Sequence, residues 1–240
     1  MWQKLKTYLR EAGKFRRDYP HDHKIHELLL FFSDWARSLQ TGASPLNDRR
    51  PWITFAAIRY LEKNLKKDMR VYEYGAGGST LFFAKRVREV ISVEHDPNWR
   101  NQVVETLTKA GYENCRIDLI EPARDDLTID KDPSDPDAYM SSGVEFKGKS
   151  FRNYATSIEE YPDEYFDVVV IDGRARPSCF KHAASKVKSG GFLMLDNAER
   201  EIYAHIHKTL ENSAWLKTDL SGPGPYNEYF WQTCVWTRRG

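Results

Sequence analysis

Glu73-Tyr74-Gly75-Ala76-Gly77-Gly78-Ser79-Thr80 is the stretch whose residue types first suggest chemistry. Glycines in such a turn let backbone N–H groups approach a ligand that a Cβ would hold away. A helix opening at Ser79 adds free N–H donors and the positive end of its dipole. Together these make a nucleotide-type pocket. Glu94 follows about twenty residues after Gly75, where a carboxylate at a strand end accepts hydrogen bonds from ribose hydroxyls. His95 comes next and stands beside the adenosine or merely ends the strand. Asp172, with Arg174 and Arg176 after it, closes one further apolar run, and Asp196-Asn197 closes another. Both arginines stay protonated, so they suit an anionic group on a substrate better than the work of a base.

The choice of nucleotide turns on Glu73 and Thr80. A dinucleotide oxidoreductase wants glycine or alanine where this chain has Thr80. A carboxylate at Glu73, just before the first glycine, repels a pyrophosphate and suits a cationic ligand bearing an amino group and a sulfonium. Glu-x-Gly-x-Gly with Glu94 therefore points to S-adenosylmethionine.

These residues need strand ends to hold them. Apolar runs at 70–74, 90–94, 116–120, 166–171 and 192–195 alternate with helical patterns over 51–65, 79–87, 97–111, 151–160, 177–187 and 199–211. Nearly continuous Val, Ile and Leu in the middle runs predicts a parallel sheet covered on both faces, an α/β doubly wound fold. Asp48 and Pro51 are the expected cap and first-turn proline of the first of these helices. Two last strands, near 216–220 and 229–237, flank the turn Ser221-Gly222-Pro223-Gly224-Pro225 and predict an antiparallel hairpin at one edge. Residues 121–150 are polar and rich in proline, a possible lid insertion. Before the domain at 48–240, residues 1–47 predict a helical extension. Its first helix, over 2–17, places Trp2, Leu5, Leu9 and Ala12 on one face, to pack on the domain or lie on a membrane surface. The second, over 24–40, is apolar enough to need cover from the domain or from a second subunit, a homo-oligomer.

Glu73 to Thr80, Ser92-Val93-Glu94-His95-Asp96, Val170-Ile171-Asp172-Gly173-Arg174-Ala175-Arg176 and Leu195-Asp196-Asn197-Ala198-Glu199-Arg200 together resemble the class I S-adenosylmethionine-dependent methyltransferases, over about residues 48–238. The nearest likeness is to a bacterial-type group related to small-molecule O-methyltransferases. The resemblance implies a Rossmann-like, seven-stranded, mostly parallel sheet with its last strand reversed. It implies that Glu73, Gly75, Ala76, Gly77, Ser79 and Thr80 border the methionine part of the cofactor, with Glu94 at the ribose and Asp172 nearby. Catechol-type relatives hold Mg²⁺ on a similar Asp … Asp-Asn set, here Asp172, Asp196 and Asn197, and such a metal acidifies and orients a hydroxyl. In the alternative, Asn197 caps the next helix and Asp172 touches cofactor or substrate without metal. Those relatives also carry a lysine base three residues after the first Asp. This chain has Ala175 there, between Arg174 and Arg176, which are left as the candidate catalytic groups with Asp172. Glu199, Arg200 and Tyr203 are placed to face the substrate. Trp52 and the 222–226 turn are placed to wall the acceptor pocket.

Composition narrows the rest. With 240 residues, 40% of them apolar and 13% aromatic, the chain can build a full core. Net charge is +1, but residues 1–70 hold 15 Lys/Arg against 8 Asp/Glu, and residues 121–165 hold 5 against 12. Solvated helices account for the basic part, and no nucleic-acid partner is expected. Three scattered cysteines, and a charged amino-terminal segment, predict a reducing, cytoplasmic setting. His182, His205 and His207 fall on helices as surface or packing residues. The expected function is methylation of a small-molecule or glycan-like acceptor, on oxygen. Two alternatives are a scaffold that keeps the fold without transfer and, disfavoured by Glu73, an NAD-type oxidoreductase.

Overall fold

The computed structural model describes residues 2–19, 29–211 and 213–240. Residues 24–28, the start of the helix expected over 24–40, lie outside the described residues. The strands are β1 (Arg70–Tyr74), β2 (Glu89–Glu94), β3 (Cys115–Leu119), β4 (Ala123–Arg124), β5 (Lys149–Ser150), β6 (Phe166–Ile171), β7 (Val187–Asp196), β8 (Trp215–Gly222) and β9 (Trp231–Arg238). The helices are α1 (Trp2–Asp18), α2 (Phe32–Ser38), α3 (Pro45–Asp48), α4 (Phe55–Asn64), α5 (Gly78–Ala84), α6 (Pro97–Lys109), α7 (Arg152–Thr156), α8 (Arg176–Ala183) and α9 (Ala204–Leu210).

Seven strands form one sheet in the order β3-β2-β1-β6-β7-β9-β8, as the alternating pattern predicts. Only β9 runs against its neighbours, pairing antiparallel with both β7 and β8. The hairpin is present, with its second strand inside the sheet and β8 at the edge. Strand order reverses between β1 and β6, whose parallel pairing sets Tyr74 opposite Ile171. At such a switch point, helices leave to opposite faces and a crevice opens beyond the carboxyl ends.

Alternate residues of the central strands supply the two faces. Tyr72, Tyr74, Val169, Ile171, Leu193 and Leu195 belong to one core. Val71, Val168, Val170, Phe192, Met194 and Val235 belong to the other, together with Tyr8, Phe31, Trp35, Ile53 and Phe55. The amino-terminal helices therefore share a core with the sheet. Tyr8 meets Trp35 edge to face, and Trp35 donates from Nε1 to the Asn227 carbonyl at 2.8 Å.

Three local expectations are corrected. The buried residues of α1 are Tyr8 and Phe15, while Trp2 is 73% and Leu9 51% exposed, because α2 and Phe230 meet the helix on the Tyr8 side. Asp48 ends the short α3 rather than capping the next helix. Thr54 caps α4, accepting from the Ala57 N–H at 3.2 Å, and Pro51 lies before that helix. In the apolar stretch 24–40, expected to need cover, Leu29 and Leu30 are exposed, whereas Phe31 and Trp35 are buried.

Residues 121–150 hold the β4–β5 pair and two turns of 3₁₀ helix, Asp126–Thr128 and Val144–Phe146. Tyr139 pins this insertion to α8. Its N–H donates to Ser178 Oγ at 3.1 Å, and its hydroxyl lies 3.0 Å from His182 Nε2.

Because Trp35 is fully buried between α1 and the sheet, Trp35→Ala is expected to cost the whole protein about 3–5 kcal/mol. Urea unfolding followed by tryptophan fluorescence and circular dichroism should show one earlier transition in both signals. An unchanged midpoint would mean that the amino-terminal helices are not part of the cooperative unit.

Candidate active site

The carboxyl ends of β1 and β6 approach so closely that only glycine fits. Gly75 has φ +98°, and a Cβ on it would lie 3.0 Å from the Gly173 Cα. A Cβ on Gly173 would meet the Tyr74 carbonyl oxygen at 2.9 Å and strike the Tyr154 hydroxyl. Beyond this contact lies a cavity of about 720 Å³, whose lining includes the Gly75–Ser79 turn, Glu94 to Asp96, Trp99, Phe146, Asp172 to Arg174, Arg176, Asp196, Asn197, Trp52, Tyr229 and Trp231. Most of the residues singled out in the sequence meet there.

Glu94 faces this cleft and is held rigidly. Its Oε1 accepts from the backbone N–H groups of His95 (2.7 Å) and Asp96 (2.9 Å), and its Oε2 from Ala76 (3.1 Å). His95 Nδ1 lies 2.7 Å from Oε1. Asp96 is spent as the cap of α6, accepting from Asn98 and Trp99. That cap brings the Trp99 indole over the glycine turn, where Nε1 donates to the Ala76 carbonyl at 2.7 Å. Trp99 was not singled out in the sequence. The signal was present, since a tryptophan three residues beyond a capping Asp falls in the first turn of α6.

Glu73 does not border the cleft, contrary to expectation. It is buried beneath the turn, where Oε2 accepts from Thr80 Oγ1 at 2.6 Å and from Ser92 Oγ at 2.8 Å. Thr80 Oγ1 in turn accepts from the Gly77 N–H at 2.9 Å. Thr80 and Glu73 thus brace the glycine turn from below, while Oε1 is buried with no hydrogen bond of its own among the described residues. Burial pushes the Glu73 carboxyl up to about 7, against the pull of the Ser79, Thr80 and Ser92 hydroxyls.

Across the switch point, Arg176 is the central brace. It donates to the Gly173, Asp172 and Asp196 carbonyls and to Asp172 Oδ1 at 2.9 Å, engaging four of its five N–H donors. It is therefore not available for a substrate anion. Arg174, two residues earlier and separated from it by Ala175 at φ +47°, makes none of these contacts. Its guanidinium lies over the Phe146 ring at 4.9 Å, and its Nε is 3.4 Å from His95 Nε2. The insertion thus supplies a wall of the cleft through Phe146.

Asp196 Oδ1 accepts from Trp231 Nε1 at 2.9 Å and Thr233 Oγ1 at 2.6 Å. Its Oδ2 has no hydrogen-bond partner among the described residues. Burial first, then repulsion from Asp172, raises the Asp196 carboxyl to about 8, and burial raises Asp172 as well. Asn197 lines the cleft with φ +49°, and α9 begins seven residues later, so it is not that helix's cap.

This arrangement does not fit the expected Mg²⁺ site. The Asp172 carboxylate already faces the Arg176 guanidinium, one Asp196 oxygen is taken by Trp231 and Thr233, and a divalent cation beside Arg176 would be repelled. Among the described residues no group of three or more Asp, Glu, His or Cys is placed to hold a metal.

The Glu73 environment carries a pH dependence whose sign is fixed. The folded state favours the neutral carboxyl, so this stabilisation is complete below about 4.5 and is lost as the pH rises through about 7. Glu73→Gln is therefore expected to gain stability relative to wild type between pH 5 and pH 8.5, on the order of 1–3 kcal/mol. Urea midpoints at the two pH values check this, and a difference that does not change with pH would refute it.

No family model and no curated protein matches this chain. Solved structures do. The O-methyltransferase TomG of Streptomyces achromogenes, determined with S-adenosylmethionine, superposes with a TM-score of 0.57 at 13% identity, covering 88% of this chain and 95% of TomG. A candidate O-methyltransferase from Klebsiella pneumoniae gives 0.55 at 15% identity over 99% of this chain and all of its own. A candidate methyltransferase from Streptococcus mutans, determined with S-adenosylhomocysteine, gives 0.51 at 12% identity over 75% of this chain and 94% of its own. The strand order, the reversed β9 and these superpositions establish that the chain has the Rossmann-like fold of the class I S-adenosylmethionine-dependent methyltransferases.

Proposed function

We propose that this protein is an S-adenosylmethionine-dependent methyltransferase acting on a hydroxyl of a small or glycan-like acceptor, with no Mg²⁺ in the step. The observation that carries the reading is the cleft itself, with Glu94 fixed at one end and the free Asp196 Oδ2 at the other. Glu94 Oε2 keeps an acceptor position for ribose hydroxyls, and Trp99 and His95 flank the adenosine. The Gly75–Gly77 turn carries only the small Ala76 side chain, which leaves room for the methionine part. The bound cofactor would supply an electrophilic methyl group on a sulfonium.

The remaining work falls to the chain. Trp52, Tyr229 and Trp231 form an aromatic wall for the acceptor, suited to an aromatic ring or a sugar face. A hydroxyl laid against that wall comes within reach of Asp196 Oδ2. Asp196 takes its proton as the oxygen–methyl bond forms and the sulfur–methyl bond breaks. A raised carboxyl serves a base at neutral pH better than an ordinary one. Arg176 neutralises Asp172 and fixes the β6 and β7 ends, which keeps the two carboxyls in register. The fixed alignment supplies the rest of the acceleration. No helix among the described residues is long and apolar enough to cross a membrane.

Calorimetry should show binding of S-adenosylhomocysteine and none of NAD, with Glu94→Ala weakening the former about tenfold or more, the loss of hydrogen bonds to a charged group. Absence of S-adenosylhomocysteine binding would overturn the reading. Turnover over a panel of phenols and sugars, followed by S-adenosylhomocysteine release, should fall about 10²–10⁴-fold in Asp196→Asn with cofactor affinity kept. Chelator should leave turnover unchanged. A strict Mg²⁺ requirement would restore the metal to this site.

A further inference from the structure

A second, smaller hollow shares Gly173, Arg174 and Arg176 with the cleft. It measures about 40 Å³ and is lined by Ser141 and Ser142 of the insertion, by Arg174 and Arg176, and by Arg200 and Tyr203 beyond β7, among others. No acidic residue lines it. Arg176 is spent on the strand ends. The other two arginines are not spent in this way. The Arg174 guanidinium lies over an aromatic ring and beside an imidazole and forms no ion pair of its own among the described residues, although its charge, like that of Arg200, acts on the Asp172 carboxylate. The Arg200 side chain has neither an ion pair nor a hydrogen bond among the described residues.

Two further observations point to a ligand. Ser141 is only 7% exposed, yet its hydroxyl has no hydrogen-bond partner among the described residues. The hollow also lies at the start of α8, whose amino-terminal turn has no side-chain cap. A buried hydroxyl, the Arg200 guanidinium and the start of α8 line one hollow, with Arg174 on the side it shares with the cleft, an arrangement that suits an anion.

We infer that this hollow binds a carboxylate carried by the acceptor. Its volume, about 40 Å³, suits a small anion, and a carboxylate is smaller than a phosphate. Because Arg174 separates the hollow from the cleft, a carboxylate seated there leaves the rest of its molecule beside Asp196 and the aromatic wall. The acceptor is then a hydroxy acid, such as a uronic acid or an aromatic hydroxy acid. This use of the anion rests on the methyltransferase reading. The binding of the anion does not.

The test separates the two. Thermal melting of the full chain is measured with sodium acetate, with inorganic phosphate and with chloride at equal ionic strength up to 100 mM, on the order of the weak affinity expected of so small an anion. Each series is run with and without S-adenosylhomocysteine. Acetate should raise the melting temperature above chloride in wild type. Arg200→Gln should weaken the acetate response about tenfold, and Ser141→Ala by less, as loss of a charged and a neutral partner predicts. Arg200→Lys should keep part of the response. A response to phosphate alone would overturn the carboxylate assignment. An acetate response equal to that of chloride, or one that survives in Arg200→Gln, would overturn the site. Loss of the S-adenosylhomocysteine response with the acetate response intact would instead strike the methyltransferase reading and leave the anion site standing.

Discussion

One buried guanidinium holds the carboxyl ends of β6 and β7 together. Arg176 reaches Asp172, Gly173 and Asp196 at once, and its charge meets two carboxyls that burial would otherwise force apart or leave protonated. Removing one partner of such a buried cluster costs far more than the cluster's net worth, because the remaining charges are stranded. The two strand ends are therefore rigid with respect to each other. The neighbouring Arg174, beyond the left-handed Ala175, takes no part in the brace and lines the cleft instead.

The glycine turn follows the same division of labour. Glu94 faces the cleft under three backbone donors. Glu73 lies beneath the turn and works through Thr80 and Ser92. Burial of this carboxyl favours its neutral form.

The insertion at 121–150 belongs to the site. Tyr139 and His182 fasten it to α8, Phe146 closes one side of the cleft, and Ser141 reaches the second hollow. Neither Phe146 nor Ser141 could be chosen from the sequence, since a polar, proline-rich stretch has no periodicity to indicate which residues face inward. Trp99 was closer to legible, being tied to the visible cap Asp96. Of Glu199, Arg200 and Tyr203, expected to face the acceptor, Arg200 and Tyr203 line the second hollow, whereas Glu199 accepts from the Gln232 N–H.

The sequence by itself determined the alternation of strands and helices, the reversed terminal hairpin, the glycine turn and Glu94 as an acid at the end of β2. Each rests on periodicity or turn chemistry that is complete within a dozen residues. The tertiary structure decided which carboxylate faces a ligand and which faces the core, that Arg176 is consumed while Arg174 and Arg200 are not, and that Thr54 rather than Asp48 caps α4. It also exposed Trp2 and Leu9 while burying Tyr8. The physical reason is common to all four. A side chain's role depends on the partner it meets, and those partners come from strands and helices far away in the chain, brought alongside only when the sheet has formed.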